Sequence, residues 1–364
     1  MEHIRGFLLT FILFFLLSPT AKSAEPSGWD ALPRAELERA AGEYAPDMPL
    51  DEGIDLDQGL QDLLDTGTQQ VFGVVKTALK SGVLLLAVVL FCAVADGASE
   101  LGGAPIRAAP MVGVLAVCAI AVADVHSLMG LGKAAIEQMT SFGAILLPAL
   151  AAAAAAGGTP AAAAARHAAT VLFSNVLFQL IVKLLIPLTY AFVAASAVSA
   201  ALGNPGLKRM AGTLKGIATG ILTTVMLVFV GYLSISGVIA GTADAITLKT
   251  AKFAISGSVP VVGGVLSDAA ETVLVSAGML RNAVGVFGML VILGICLTPF
   301  LRMGVHYLVY KLTAALCATV SGGKLTDLID AVGGAFALEL GMMGCCGVLL
   351  LICVISCLSA TGAV

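Results

Sequence analysis

Charge is scarce in these 364 residues: Asp, Glu, Lys and Arg together make 12%, against about 25% in ordinary soluble domains. Hydrophobic residues make 59% and mean hydropathy is +1.02. A soluble fold cannot cover that much oil, so the composition describes a polytopic membrane protein. Aromatics are also few, at 6%, with one Trp. Alanine, aliphatics and 41 glycines fill their place, which favours helices packed closely through small residues. The strict alternation of a membrane β-barrel is missing. No Lys/Arg run interleaved with aromatics occurs, which leaves nucleic-acid binding without support.

Cysteine is missing from the acidic N-terminal segment. All eight (Cys92, Cys118, Cys296, Cys317, Cys345, Cys346, Cys353 and Cys357) fall in apolar segments. An exported disulfide framework is therefore not expected, and small apolar residues that happen to be thiols is the simpler reading. Enzyme signatures are lacking too. No HExxH or GxSxG is present. Gly322-Gly323-Lys324-Leu325 resembles the end of a phosphate-binding loop, but Ala318 stands where its first glycine belongs and Leu325 where Ser or Thr should bind magnesium. His3, His126, His167 and His306 are scattered. Neither an enzyme nor a cofactor or metal is expected.

What is present begins with a targeting segment. Residues 1–23 carry Arg5, an apolar stretch Phe7–Leu17, Pro19, and small residues at Ala21 and Ser23. This is the layout of a cleavable signal peptide; an uncleaved first span is the rival, but eleven apolar residues are short for the ~20 a span needs. Residues 24–55 form an acidic, proline-rich lead, expected on the extracytoplasmic side. Residues 56–80 repeat Leu56, Leu60, Leu63, Leu64, Val71, Val74, Val75 and Ala78 at helical spacing, an amphipathic helix. Residues 81–364 are the multi-span domain. Spans are expected near Lys80–Ala95, Ala108–Ala123, Phe142–Ala156, Ala168–Leu202 (two short crossings), Gly216–Ala240, Val284–Phe300 and Phe336–Leu358, with Leu301–Val320 amphipathic on the cytoplasmic face. The fold class is all-α, with seven or eight transmembrane helices. With the N-terminal segment outside, the inside loops hold Arg107, Arg166, Lys208, Arg209, Lys215, Arg302, Lys311 and Lys324. The outside loops hold Lys133, Lys249, Lys252 and Arg281. That bias obeys the positive-inside rule.

Three features stand above this background. Glycines recur every four residues at Gly212, Gly216 and Gly220, at Gly237 and Gly241, and with Ala337 between Gly333 and Gly341. On a helix each set is a flat stripe that another backbone can approach; ordinary packing within the chain is the simpler use. Ionisable residues stand at membrane depth: Lys183 within FQLIVKLLIPL and Glu339 within FALELGMMG. Such a residue usually faces an interior or a water path. Snorkelling beside Pro187 is the plain alternative for Lys183, and an interfacial place at the start of its helix for Glu339. Third, KTAKFAISGSVPVVGGVLSDAAETV opens on Lys249 and Lys252, is broken by Pro260, Gly263 and Gly264, and ends on Asp268 and Glu271, which are spaced as a helix cap. Residues 253–268 read as a re-entrant or interfacial hairpin; an ordinary external loop with a cap fits equally.

The same stretch, with LRNAVGVFGMLVILGI after it, resembles the core of the stage III sporulation protein AE family of endospore-forming Firmicutes. The resemblance covers about Leu56–Leu358. It implies an integral protein of the mother-cell membrane around the forespore. The implied partners are other stage III sporulation A proteins, among them a cytoplasmic ATPase and ring-forming members, and through them a forespore membrane protein. It implies a membrane platform or export gate of a transenvelope channel, and brings no catalytic residues. Lys249, Lys252, Pro260, Gly263, Gly264, Asp268 and Glu271 match the family's pattern. A stand-alone secondary transporter for a small solute is the alternative, motivated by Lys183 and the broken segment.

Overall fold

The computed structural model describes residues 37, 39, 41, 56–102, 109–156, 171–235, 283–320 and 323–359. Among them every regular element is a helix. α1 is Leu56–Gly102 and α2 is Ala109–Ala156. α3 is Val171–Leu202, interrupted by one π turn at Ile181–Leu185. α4 is Pro205–Ile235, α5 is Ala283–Val320 and α6 is Lys324–Ser359. Among the described residues six helices are long and apolar enough to cross a membrane, since about 20 apolar residues suffice.

Contacts between helices set their directions. On α1, Gln70 accepts a hydrogen bond from Thr298 of α5 at 2.8 Å, and Gly82 faces Val309 and Thr313 further along. α1 and α5 therefore run the same way. α2 runs against α5, pairing Asp124 with Tyr310, Gly132 with Met303, Met139 with Cys296, and Leu146 with Gly288. α3 runs against α6, with Ser174 beside Cys353 and Phe192 near Gly334. α4 runs with α6, from the Lys208–Asp327 ion pair to the contact of Lys215 with Gly334. The six described helices thus alternate in direction along the chain. The end of α1, the start of α2, the α3–α4 turn and the α5–α6 turn share one end, here the turn end. The other helix ends lie opposite.

The core is centred on α6. In its most apolar stretch 89% of the residues are buried, against 78% for α5 and 22% for α4. Phe287, Phe336, Tyr310, Met343 and Leu349 fill the space between α5, α6 and their neighbours. Within the acidic lead, Leu37 and Ala41 are helical, four residues apart, and belong to this core.

Several expected breaks are absent. α2 runs unbroken through Asp124, His126, Lys133 and Glu137, joining two segments expected to cross separately. Lys133 is therefore no loop residue; it lies mid-helix, 3.7 Å from Glu137 one turn on. The described part of Ala168–Leu202 is a single passage. Pro187 has no N–H to give the Lys183 carbonyl, and the π turn absorbs the mismatch, with the Ile186 N–H reaching Ile181 instead. α5 passes through Pro299 and unites Val284–Phe300 with Leu301–Val320, so Arg302 also lies within a helix. Residues 56–80 and the span after them form one helix. Where seven or eight separate crossings were expected, the described residues form six helices long and apolar enough to cross a membrane.

Candidate functional site

The turn end is built by two glycine turns. Gly203 adopts φ 67° and closes α3 through its N–H to the Ser199 carbonyl at 2.8 Å. Asn204 then starts α4: its side-chain Oδ1 accepts from the Gly206 N–H at 2.8 Å, and Pro205 occupies the first helical position. An Asn cap followed by Pro is a strong local start signal. Gly323, at φ 154°, precedes α6, whose first turn holds Asp327.

These turns bring Lys208 and Lys215 of α4 against Lys324, Asp327 and Asp330 of α6, around a cleft of about 370 Å³. Two acids are spoken for. Lys208 Nζ donates to Asp327 at 2.6 Å and Lys311 Nζ to Asp330 at 2.5 Å. Lys215 and Lys324 have no ion-pair or hydrogen-bond partner among the described residues. Lys215 is half-buried, its ammonium 6.0 Å from the centre of the Phe192 ring and over Gly334. Lys324 lies over Gly203 in the same way. The cleft is a place of unspent positive charge.

Deeper along α6, polar groups continue into the core. Tyr310 donates to Asp124 at 2.7 Å and meets Phe336 edge-on, with ring centres 5.1 Å apart. His306 Nδ1 lies 2.7 Å from the Arg302 carbonyl and also packs edge-on to Phe336. One turn beyond Phe336 comes Glu339. It is fully buried, and neither carboxyl oxygen has a hydrogen-bond partner. α2 makes room for it at Gly132: a Cβ there would stand 2.6 Å from Glu339 Oε1 and 2.5 Å from Met303 Cε. Since α6 begins at Lys324, Glu339 is about four turns inside its helix rather than at its start. A buried polar group without a partner is costly.

The other sequence-singled residues fall differently. Lys183 sits in the π turn on an exposed face, donating to Gln179 at 3.2 Å. It does not join the cleft. Gly333, Ala337 and Gly341 are used within the chain, with Gly333 against Tyr310 of α5. Gly212, Gly216 and Gly220 form an exposed stripe on α4, and a side chain added at any of them would meet nothing within 4 Å. Lys249, Lys252, Pro260, Gly263, Gly264, Asp268, Glu271, Gly237 and Gly241 lie outside the described residues. Sequence reasoning did not assemble the cleft, because Lys208 and Asp327 are 119 residues apart. Its signal was present in two glycine turns, each followed closely by lysine. No group of three or more His, Cys, Asp or Glu could hold a metal among the described residues.

Six long apolar helices among the described residues, two of them a largely buried hairpin, define the class: a helical protein of the membrane. The particular family follows from comparison. The family model for stage III sporulation protein AE matches residues 51–361. Stage III sporulation protein AE of Bacillus subtilis (strain 168) is 30% identical over 213 residues, 58% of this chain and 53% of that protein. The chain spans about half the length of the curated relative it matches. No solved structure matches it. The chain belongs to the stage III sporulation protein AE family, which implies a role in sporulation.

Proposed function

We propose that this chain is a membrane platform or export gate of a transenvelope channel complex, set in the mother-cell membrane around the forespore. Its partners in this reading are other stage III sporulation A proteins, including a cytoplasmic ATPase and ring-forming members, with a forespore membrane protein reached through them. The observation that carries the reading is the unequal covering of the helices. α6 is sealed inside the chain, whereas α1 to α4 turn large apolar side chains outward. Phe72 is 85% and Phe91 77% exposed, and the Gly212–Gly216–Gly220 stripe has nothing against it. Surfaces of this kind suit lipid or neighbouring helices. The turn end holds Lys208, Arg209, Lys215, Lys311 and Lys324, which favours the cytoplasm there. The end of α4 and the start of α5 then lie towards the opposite side, where intermembrane partners would stand.

A cysteine placed at Ser256 tests this in sporulating cells with a thiol crosslinker. Capture of another stage III A protein is expected. Capture of none, with a normal spore yield when the chain is deleted, would sink the reading. A stand-alone solute permease is the second reading, favoured by the unpartnered Glu339. Solute uptake into liposomes holding only the purified protein is the result that would establish it.

A further inference from the structure

We propose that the cleft at the turn end binds the phosphate of an anionic phospholipid. Its walls come from three helices: Phe192, Ser196 and Ser199 of α3, Lys208 and Lys215 of α4, and Lys324 of α6. The two acids within it make their ion pairs with Lys208 and Lys311, so the ammonium groups of Lys215 and Lys324 have no ion-pair partner of their own among the described residues. Both are set over glycines, Gly334 and Gly203, where any side chain would displace them. Pro205 and Lys324 also place the first turns of α4 and α6 in the wall, adding the positive ends of two helix dipoles. The volume of about 370 Å³ accommodates a headgroup phosphate and its glycerol.

A free phosphate or nucleotide would satisfy the same charges. The surroundings favour a lipid. Val198 and Leu202 at the end of α3 and Met210 at the start of α4 are large, apolar and exposed within about two turns of the cleft. A headgroup seated among the lysines leaves its acyl chains beside these side chains, whereas a soluble anion gains nothing from them. Basic pockets between helices at a membrane face are the usual seat of such lipids. The inference does not depend on the channel reading.

The test is native mass spectrometry of the purified full-length protein in detergent, titrated separately with phosphatidylglycerol, phosphatidylcholine and inorganic phosphate. Retention of phosphatidylglycerol is expected, with phosphatidylcholine held far more weakly. The double variant Lys215→Gln/Lys324→Gln should bind phosphatidylglycerol less tightly by on the order of tenfold. Lys215→Arg/Lys324→Arg should restore binding, and Lys133→Gln should leave it unchanged. Unaltered helix content by circular dichroism separates lost binding from misfolding, and the arginine pair reports on the site if the glutamine pair fails to fold. Equal retention by wild type and the glutamine variant overturns the proposal. So does retention of inorganic phosphate alone, which would make the source a soluble anion. Failure to hold either lipid also overturns it, and would leave the lysines to an acidic segment of another protein.

Discussion

Helices α4 and α6 carry the same small-residue spacing and put it to opposite uses. On α6, Gly333, Ala337 and Gly341 are buried, and a Cβ at Gly333 would come within 3.3 Å of Tyr310. On α4, Gly212, Gly216 and Gly220 face outward with open space beyond each. The burial of the two helices follows, at 89% against 22% of the most apolar stretch. In a bilayer the hydrophobic effect does not draw apolar helices together; close packing and polar contacts do. α6 has found both, in its glycine contacts and in the groups around Phe336. α4 packs along α3 by another face, burying Leu222, Met226 and Phe229 and stacking Phe229 on Phe173, and its glycine stripe is unspent. A four-residue glycine pattern therefore tells that a backbone can be approached, and says nothing of which one approaches.

The contrast can be broken most severely inside the core. Gly132→Leu would drive a branched side chain into Met303 and Glu339. Overpacking of this kind typically costs about 1–3 kcal/mol, and a contact between three helices lies at the upper end. Thermal unfolding in detergent should show a large drop in midpoint or no recoverable folded protein. Tyr310→Phe is milder. It removes the donor to Asp124 while keeping the ring against Phe336, with an expected loss of about 1–3 kcal/mol for a hydrogen bond to a charged group; the same unfolding experiment reads it. Gly216→Leu sharpens the contrast from the other side. Nothing in the chain stands in its way, so stability should change by no more than about 0.5 kcal/mol, while spore yield falls. Lys133→Ala should do least. It breaks a long pair one helical turn apart, a contact worth a few tenths of a kcal/mol on a helix, and should change neither the unfolding midpoint nor the spore yield. Gly263→Val, in the family stretch, should impair sporulation more than Lys133→Ala.

The helical membrane class was legible from composition, and the spans of α4 and α6 from their apolar runs. The continuity of the helices was not. Asp124, Lys133 and Glu137 look like a loop in one dimension, yet on a helix charged groups can stand on a polar or exposed face without ending it. Asp124 takes the Tyr310 hydroxyl and Lys133 pairs with Glu137. Pro187 and Pro299 read as breaks, but a helix held by neighbours tolerates the loss of one hydrogen bond, through a π turn in the first case. Glu339 was visible as a carboxyl at membrane depth. Its burial was not visible, because that depends on Gly132, four helices earlier in the sequence. The cleft was hidden for the same reason. GNPG and GGK were readable as turns, and only the packing of α4 along α6 puts their lysines together.

The central claim is that faces left open within the chain are covered by something outside it, while the buried stripe is not. Site-specific photocrosslinking in sporulating cells tests it directly, with the crosslinker at Gly216 and Gly220 in one set and at Gly341 in the other. The account predicts adducts to other protein chains from α4 and none from α6. Adducts from neither position, or equal adducts from both, would contradict it.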